Sequence, residues 1–508
     1  MESLDVFDTA IFRDVYEPKD IFKLIEAKVG NDFYKKRVDA ESKVYNVMPF
    51  YTLTEIYRRM IGFDPQLEIK MEMEHTYANP EILEMYKKNP KNYVFISDMY
   101  LPSKVIKEIL EKCGYENPRV FVSCEEKAKK GSGVLFKNVE RKIGKITKHY
   151  GDNYRADIEG AAKANIPAVF LPSLQSRKQD LPAVKSPMLK KFAAELALND
   201  DVPVVKLAKY YAPLIYDFTR WCIDKRRPDQ HVYFVSRDMF MPYVIASQLM
   251  KEENVHYIHC SRKSLIPLIM TGKDAVLKNK IKNIFGEVTC KQKQLEGTRD
   301  ALTYLRNTGI KNGDIIVDIG YSATTQRVIE QSLGIRLTGK YVQLGSVPKE
   351  YGAIDARQYL NRMALLYVFI AEFIFTSPED NMDGYRSNGK PYFTPDNEQR
   401  KKYAKEIVEG IVTTEMYKKM KACNLTVFDV EQMLIFIQQN PSIDMLNILN
   451  EPILTNRRTK ESCINCIREE ILNGKLLECY KHSYAKPLFK KLLEHDSELA
   501  SLVKLLPT

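Results

Sequence analysis

Four times within residues 1–175, a short strand-like run stops at a polar or charged side chain. That recurrence confines the first part of the chain to an α/β sheet whose strand ends carry chemistry. The first run is Met1-Glu2-Ser3-Leu4, leading into Asp5-Val6-Phe7-Asp8-Thr9, and the second is Tyr93-Val94-Phe95-Ile96-Ser97-Asp98. The third, Arg119-Val120-Phe121-Val122-Ser123, is followed by Lys127-Ala128-Lys129-Lys130-Gly131-Ser132-Gly133 and a helix-like segment. The fourth is His149-Tyr150-Gly151-Asp152-Asn153-Tyr154-Arg155-Ala156-Asp157; Ile158 to Ala164 then reads as helix and Ala168 to Leu171 as strand.

Each run ends in a group suited to one part of a phosphoryl reaction. A carboxylate at a strand's C-terminal end, Asp5, can attack phosphorus and hold a divalent cation, splitting one displacement into two. Ser97 ends a buried strand and brings a hydroxyl that can donate to a phosphoryl oxygen. One lysine of the lysine-glycine turn can neutralise developing charge. Asp152 and Asp157 can approach a single hard cation through oxygen ligands.

In this order, the four stretches resemble the motifs of the haloacid-dehalogenase-like hydrolase superfamily over roughly residues 1 to 175. The resemblance implies Asp5 as aspartyl nucleophile and Mg2+ ligand, Ser97 as phosphoryl-binding hydroxyl, and Lys130 as the stabilising lysine, with Lys129 and Lys127 as alternative registers. It implies Asp152 and Asp157 as metal-site acids, joined by the backbone carbonyl of Phe7.

Two departures qualify what the resemblance implies. Phosphatases of the superfamily place a second Asp two residues after the nucleophile to protonate the leaving group; here that residue is Phe7. Losing general acid assistance costs about 100- to 10,000-fold on an alcohol leaving group, so a better leaving group or an acid from elsewhere is expected. Asp8, one residue further, should point away if strand alternation persists. Dehalogenation needs no metal, and that branch typically lacks the acid Asp152 supplies, so phosphorus chemistry is favoured. The second departure is the short lead: only four residues precede Asp5, which leaves open a start upstream.

Residues 10–90 carry helical periodicity from Asp20 to Lys28, Asp32 to Tyr45, Thr52 to Arg59 and Pro80 to Lys88, with almost nothing that reads as strand. An insertion here matches the helical cap of one subclass of the superfamily, which closes over the site and selects substrate. His75, Tyr77 and Asp14 are candidates for polar contacts from it or for the missing acid.

A linker is expected over 176–203, with some helix at Met188 to Leu198, and a second parallel α/β, Rossmann-like domain over 204–396. Its strands are expected at Val232 to Val235, His256 to Ile258, Ile315 to Val317 and Tyr341 to Leu344. Their ends carry Ser236-Arg237-Asp238, Ser261-Arg262-Lys263 and Asp318-Ile319-Gly320-Tyr321-Ser322-Ala323-Thr324-Thr325. Ligands gather at such ends, and a helix start beyond Gly320 suits an anion. Arg237, Asp238, Arg262, Lys263, Asp318, Gly320, Ser322 and Thr324 are therefore candidates for a second ligand site. Glycosyl or glycerophosphoryl transfer, with Arg237, Arg262 and Lys263 on a diphosphate, is one use of it. Residues 397–508 read as a helical C-terminal region. The whole arrangement resembles haloacid-dehalogenase-type proteins associated with bacterial surface-polysaccharide biosynthesis, which implies sugar or polyol phosphates as substrates.

The 508 residues fit about three domains. A formal charge of +11 is spread over scattered runs such as Lys278 to Lys282 and Arg457 to Lys460, read as solvated helix faces. No basic motif with interleaved aromatics points to nucleic acid; a loose attraction to an anionic membrane surface or to phosphorylated substrates is compatible with the charge. Nine irregularly spaced cysteines fit a reducing compartment, and the lone Cys463-Ile464-Asn465-Cys466 lacks partners for zinc. With no signal peptide, and with the most apolar run, Met363 to Phe375, broken by Glu372, a cytoplasmic protein without a transmembrane segment is expected. The expected activity is a Mg2+-dependent phosphohydrolase or phosphotransferase acting on a phosphorylated metabolite; the alternative is a binding or assembly protein that keeps the fold with turnover reduced.

Overall fold

The computed structural model describes all residues except 178, 346, 348, 350–352, 362–367, 450–463, 484–485 and 508. The chain is α/β and divides into two compact units, residues 1–181 with 187–198, and residues 182–186 with 199–508.

Among the described residues of the first unit, seven strands follow the chain: β1 (Glu2–Leu4), β2 (Ile11–Arg13), β3 (Thr76–Ala78), β4 (Tyr93–Ser97), β5 (Val120–Val122), β6 (Lys148–Gly151) and β7 (Ala168–Phe170). Five of them form a parallel sheet in the order β5-β4-β1-β6-β7, with Leu4 opposite Phe95 on one side and Tyr150 on the other. Alternation along β4 explains the layering. Phe95 joins the core beneath Ile21, Phe22, Phe33 and Ile106, whereas Val94 and Ile96 join Leu135, Phe136 and Val139 on the opposite face. Both faces being covered, the strand reads as a continuous apolar run.

The segment between β1 and β4 holds helices Asp20–Val29, Phe33–Tyr45, Leu53–Tyr57, Gln66–Glu74 and Pro80–Lys88. The expectation that it contains almost no strand is corrected by β2 and β3, which pair antiparallel with Phe12 opposite Tyr77. Three residues are too few for alternation to show against the helical periodicity around them.

The second unit adds β8 (Val232–Val235), β9 (Val255–Ile258), β10 (Ile315–Tyr321), β11 (Thr338–Leu344), β12 (Asp355–Gln358), β13 (Asn381–Tyr385) and β14 (Pro391–Thr394). A second parallel sheet runs β12-β11-β10-β8-β9, and β13 and β14 form an antiparallel pair. Helix Pro203–Ile223 is buried around most of its circumference and packs against helices Glu398–Ile411 and Val427–Gln439.

In the C-terminal region, expected as helical, Thr413 separates helix Glu398–Ile411 from helix Thr414–Ala422 and caps the latter by accepting the Met416 N–H at 3.0 Å. Of the apolar run Met363 to Phe375, Val368–Phe375 is helix, and residues 363–367 lie outside the described residues. Also outside them are the basic run Arg457 to Lys460 and Cys463, within the C-terminal region expected as helical. Among the described residues no helix is long and apolar enough to cross a membrane.

Candidate functional site

Because β4, β1 and β6 are adjacent and parallel, their C-terminal ends open on one edge of the first sheet. Asp5 follows β1, with its N–H bonded to the Tyr150 carbonyl at 2.8 Å, Ser97 ends β4, and Asp152 follows β6. A helical turn over Tyr154–Glu159 returns Asp157 beneath them, its N–H bonded to the Asn153 carbonyl at 2.7 Å.

The carboxylates of Asp5, Asp152 and Asp157 each offer an oxygen within 4.8 Å of the others. Lys130 lies between two of them: its Nζ is 2.5 Å from Asp5 Oδ1 and 2.5 Å from Asp157 Oδ1. Lys130 is therefore the register of the lysine-glycine turn that reaches the carboxylates; the Lys129 ammonium instead lies over the Tyr45 ring, 4.9 Å from its centroid. Ser97 is buried at the sheet edge.

Burial, with the charges of close neighbours, sets the electrostatics. Burial, then the charges of Asp157 and Asp152, lift Asp5 well above the usual carboxylate range against the opposing pull of Lys130. Burial and the charges of Asp8 and Asp157 lift Asp152 to about 6. Burial also acts to raise Asp157, but Lys130 and His149 outweigh it and hold that carboxyl below its ordinary value. Lys130 is raised, because its acidic neighbours outweigh the cost of burying it.

Three contributors escape the motif-based reading. His149 is fully buried on β6 and neutral, since burial lowers its pKa. Its Nε2 lies 3.1 Å from Asp157 Oδ1, so Nε2 carries the proton and Nδ1 accepts from Ser3 Oγ at 2.8 Å. Ser3 and His149 are register partners across β1 and β6; the signal for them was polarity on the inner face of strands otherwise apolar. Asp98 accepts the Lys130 N–H at 3.0 Å and so fixes the lysine's backbone.

Phe7, in place of a general acid, stacks under Arg13, whose guanidinium carbon is 4.0 Å from the ring centroid. Arg13 in turn donates to both carboxylate oxygens of Glu72, at 2.9 and 3.1 Å. The turn's backbone bonds use the Val6 carbonyl, which accepts from Ala10 and Ile11, and the Asp8 N–H, which donates to Ile11. The Phe7 carbonyl accepts none from the described residues, which suits a cation ligand. Asp8 sits in a left-handed turn (φ 59°), so strand alternation does not carry through, and its charge is felt at Asp152. Asp14 and His75 bind one another at 3.0 Å, and the Tyr77 hydroxyl accepts from Lys191 at 2.7 Å.

In the second unit, all eight candidate residues, Arg237, Asp238, Arg262, Lys263, Asp318, Gly320, Ser322 and Thr324, line one cavity of about 690 Å³ at the C-terminal ends of β8, β9 and β10. Gly320 has φ +137°, and a Cβ there would lie 1.8 Å from the Gln343 carbonyl oxygen, so the strand end requires glycine. Two of the expected cations are already engaged. Arg237 Nη1 donates to Asp396 at 2.9 Å and Asn381 at 2.7 Å, and Lys263 is ion-paired with Asp383. The cation missed by sequence reasoning is Lys280, from the run taken as a solvated face; its Nζ donates to Ser322 Oγ and, at 3.1 Å, to Thr324 Oγ1. Glu372, the charge interrupting the apolar run, also lines the cavity.

Compared with known proteins, the chain matches no protein-family model and no curated protein.

Proposed function

We propose that the first unit is a divalent-cation-dependent phosphohydrolase or phosphotransferase of the haloacid-dehalogenase type, with residues between β1 and β4 as its cap, acting through an aspartyl-phosphate on Asp5. The carrying observation is the convergence of Asp5, Asp152 and Asp157 with Lys130 between two of them.

The donor set fits Mg2+. Three hard oxygen ligands, a Phe7 carbonyl that no described residue engages, and Asp5 and Asp152 carboxyls raised by burial and then by neighbouring acids' charge form a site short of positive charge. Bound there through Asp5, Asp152, Asp157 and the Phe7 carbonyl, Mg2+ would polarise a phosphoryl oxygen and relieve that repulsion. The protein's own groups supply the rest. Asp5 attacks phosphorus, forming the acyl-phosphate bond as the ester P–O bond breaks. Lys130 orients Asp5 and balances charge gathering on the phosphoryl oxygens, and the Ser97 hydroxyl donates to one of them. His149 and Ser3 hold Asp157 in place. Water then cleaves the acyl phosphate, or an acceptor alcohol takes the phosphoryl group. The leaving oxygen's proton cannot come from Phe7. Asp8 is the nearest acid of that turn and the one we assign to the step; acidic leaving groups would need no such help.

Phosphorylated sugars or polyols of glycan synthesis suit this chemistry as substrates, and seven cysteines outside any disulfide among the described residues suit a reducing, cytoplasmic setting. The test is Mg2+-dependent release of phosphate from an aryl phosphate, abolished by Asp5→Asn; turnover surviving that change overturns the assignment. Phe7, at the general acid's place in the sequence and packed under an Arg13 that is paired with Glu72, favours a second reading in which the site binds phosphate but turns over little. Phosphate affinity lost in Asp5→Asn, with no turnover in the parent on any aryl or alkyl phosphate, would select it.

A further inference from the structure

We propose that the cavity of the second unit is a nucleotide site, in which the base stacks on Phe393, the ribose diol is held by Asp238 and the phosphates reach Arg262. Ser236 and Tyr321 complete the contacts to the sugar. The site is separate from that of the first unit and does not depend on the function proposed there.

Topology locates it. The chain runs from β8 to its neighbour β9 on one side, then returns to β10 on the other side of β8 and continues outward to β11 and β12. The strand order therefore reverses between β8 and β10. In open parallel sheets such a reversal leaves a crevice outside the carboxyl ends of the strands, and ligands bind there. Ser236 and Asp238 follow β8, and Asp318 and Tyr321 belong to the last turn of β10; all four line the cavity of about 690 Å³.

Unmet polar groups on the wall define what the ligand must offer. Arg237, Lys263 and Lys280 are held by protein partners. The Asp238 carboxylate makes no hydrogen bond or ion pair with a described residue and feels Arg237, Arg262 and Arg400 only from a distance. Arg262, beyond the end of β9, likewise has no such partner. The hydroxyls of Ser236 and Tyr321, one on each side of the strand reversal, are buried without a protein partner, a costly state until a ligand or water completes them. A vicinal diol donates twice to a carboxylate and leaves its oxygens to accept from hydroxyls. Asp318 accepts the Ile319 N–H at 2.7 Å and, raised to about 7 by burial and then by Asp238, adds a donor near neutral pH. An anion satisfies Arg262, and the first residues of the ten-residue helix Thr324–Leu333, whose opening N–H groups lack helical acceptors, line the same cavity.

The aromatic wall distinguishes a nucleotide from a sugar phosphate. Phe393 lines the cavity with 38% of its surface exposed, its ring set against His259 at 5.3 Å between centroids and 87° between planes. Glu379 fixes His259 in turn at 3.2 Å, so the Phe393 ring is a platform already in place. A base stacked on such a ring gains on the order of tenfold in affinity. Volume agrees: about 690 Å³ lies in the range of sites that enclose an organic ligand of nucleotide size and far exceeds the needs of a phosphate ion.

The test is calorimetric titration of the full chain, in EDTA and again in Mg2+, with UDP, CDP, ADP and GDP, and with ribose 5-phosphate and pyrophosphate as fragments. At least one nucleoside diphosphate should bind about tenfold or more tightly than both fragments. Phe393→Ala and Arg262→Met, both at exposed positions, should each weaken that nucleotide by about fivefold or more. Its 2′-deoxy form should bind the wild type about fivefold or more weakly than the parent and bind Asp238→Asn no more weakly than the parent does. General destabilisation does not produce that loss of discrimination. No nucleotide preferred over both fragments, full affinity in both Phe393→Ala and Arg262→Met, equal affinity of the wild type for the ribo and deoxy forms, or loss only in Asp152→Asn of the first unit overturns the proposal.

Discussion

The Asp157 carboxylate fills the space in which a side chain at Gly151 would begin: a Cβ there would lie 2.2 Å from Asp157 Cγ and 2.4 Å from Oδ2. Space, rather than an unusual backbone angle, demands glycine at the end of β6. Gly151→Ala should push Asp157 off the cluster while the sheet persists, lowering Mg2+ or Mn2+ affinity by about tenfold or more. Calorimetric metal titration checks this; unchanged affinity would mean that Asp157 does not reach the cation.

His149 acts through Asp157, and a hydrogen-bonded partner behind a metal ligand commonly contributes about 10- to 100-fold in affinity or activity. His149→Phe keeps ring volume against Phe136, whose centroid is 4.8 Å away, but removes the donor to Asp157. Metal affinity should fall within that range. Ser3→Ala, which deletes only the outer bond of the chain, should lose less. Equal losses in the two variants would argue against this order of dependence.

A third expectation concerns the helices between β1 and β4. Arg37 and Glu68 are both fully buried and joined by two bonds, Nε to Oε2 at 2.6 Å and Nη2 to Oε1 at 2.9 Å. The hydroxyls of Tyr57 and Tyr100 donate to the same carboxylate at 3.0 and 2.7 Å. Arg37→Met strands Glu68 without its counter-charge and should cost about 3–5 kcal/mol. Adding Glu68→Met should restore much of it, because the pair rather than either charge is what the core accommodates. Urea denaturation of the single and double variants decides; additive losses would contradict it.

Strand ends were the legible part of this chain. Apolar runs buried on both faces, such as Val94-Phe95-Ile96, cannot be confused with surface strands, so β4, β8 and the start of β10 follow from composition, and the polar residues that stop them follow too. Strands without an apolar run set off from their surroundings were not legible: β2 and β3 lie beside stretches of helical periodicity, and β12, Asp355-Ala356-Arg357-Gln358, has no apolar face. The same limit explains the missed site residues. Lys280 looks like its neighbours in a basic helix until the chain places Ser322 and Thr324 beside it, and Arg37 with Glu68, 31 residues apart, carries no local mark of being buried. Burial of a charge depends on distant partners, which periodicity does not encode.

Asp318 supplies the pH dependence. Folded, its carboxyl stands at about 7, raised by burial and then by Asp238, against the opposing Ile319 N–H, Arg262 and Thr325 hydroxyl. Unfolded, an Asp titrates near ~3.9. Between these values the folded chain retains a proton that the unfolded chain has released, so stability must fall as pH rises from about 4 to about 7. The sign is opposite to that of a salt-bridged carboxylate, whose contribution is lost on acidification. Glu372, also at about 7, adds in the same direction. Asp318→Asn is neutral throughout; it should leave stability near pH 4 little changed and raise it near pH 8, by an amount on the order of 1–3 kcal/mol once partial exposure is allowed for. Denaturant titrations of the ligand-free chain at both pH values give the difference directly. A wild type and variant that respond identically to pH would place the Asp318 carboxyl in its ordinary ionised state and remove the neutral donor from that end of the cavity.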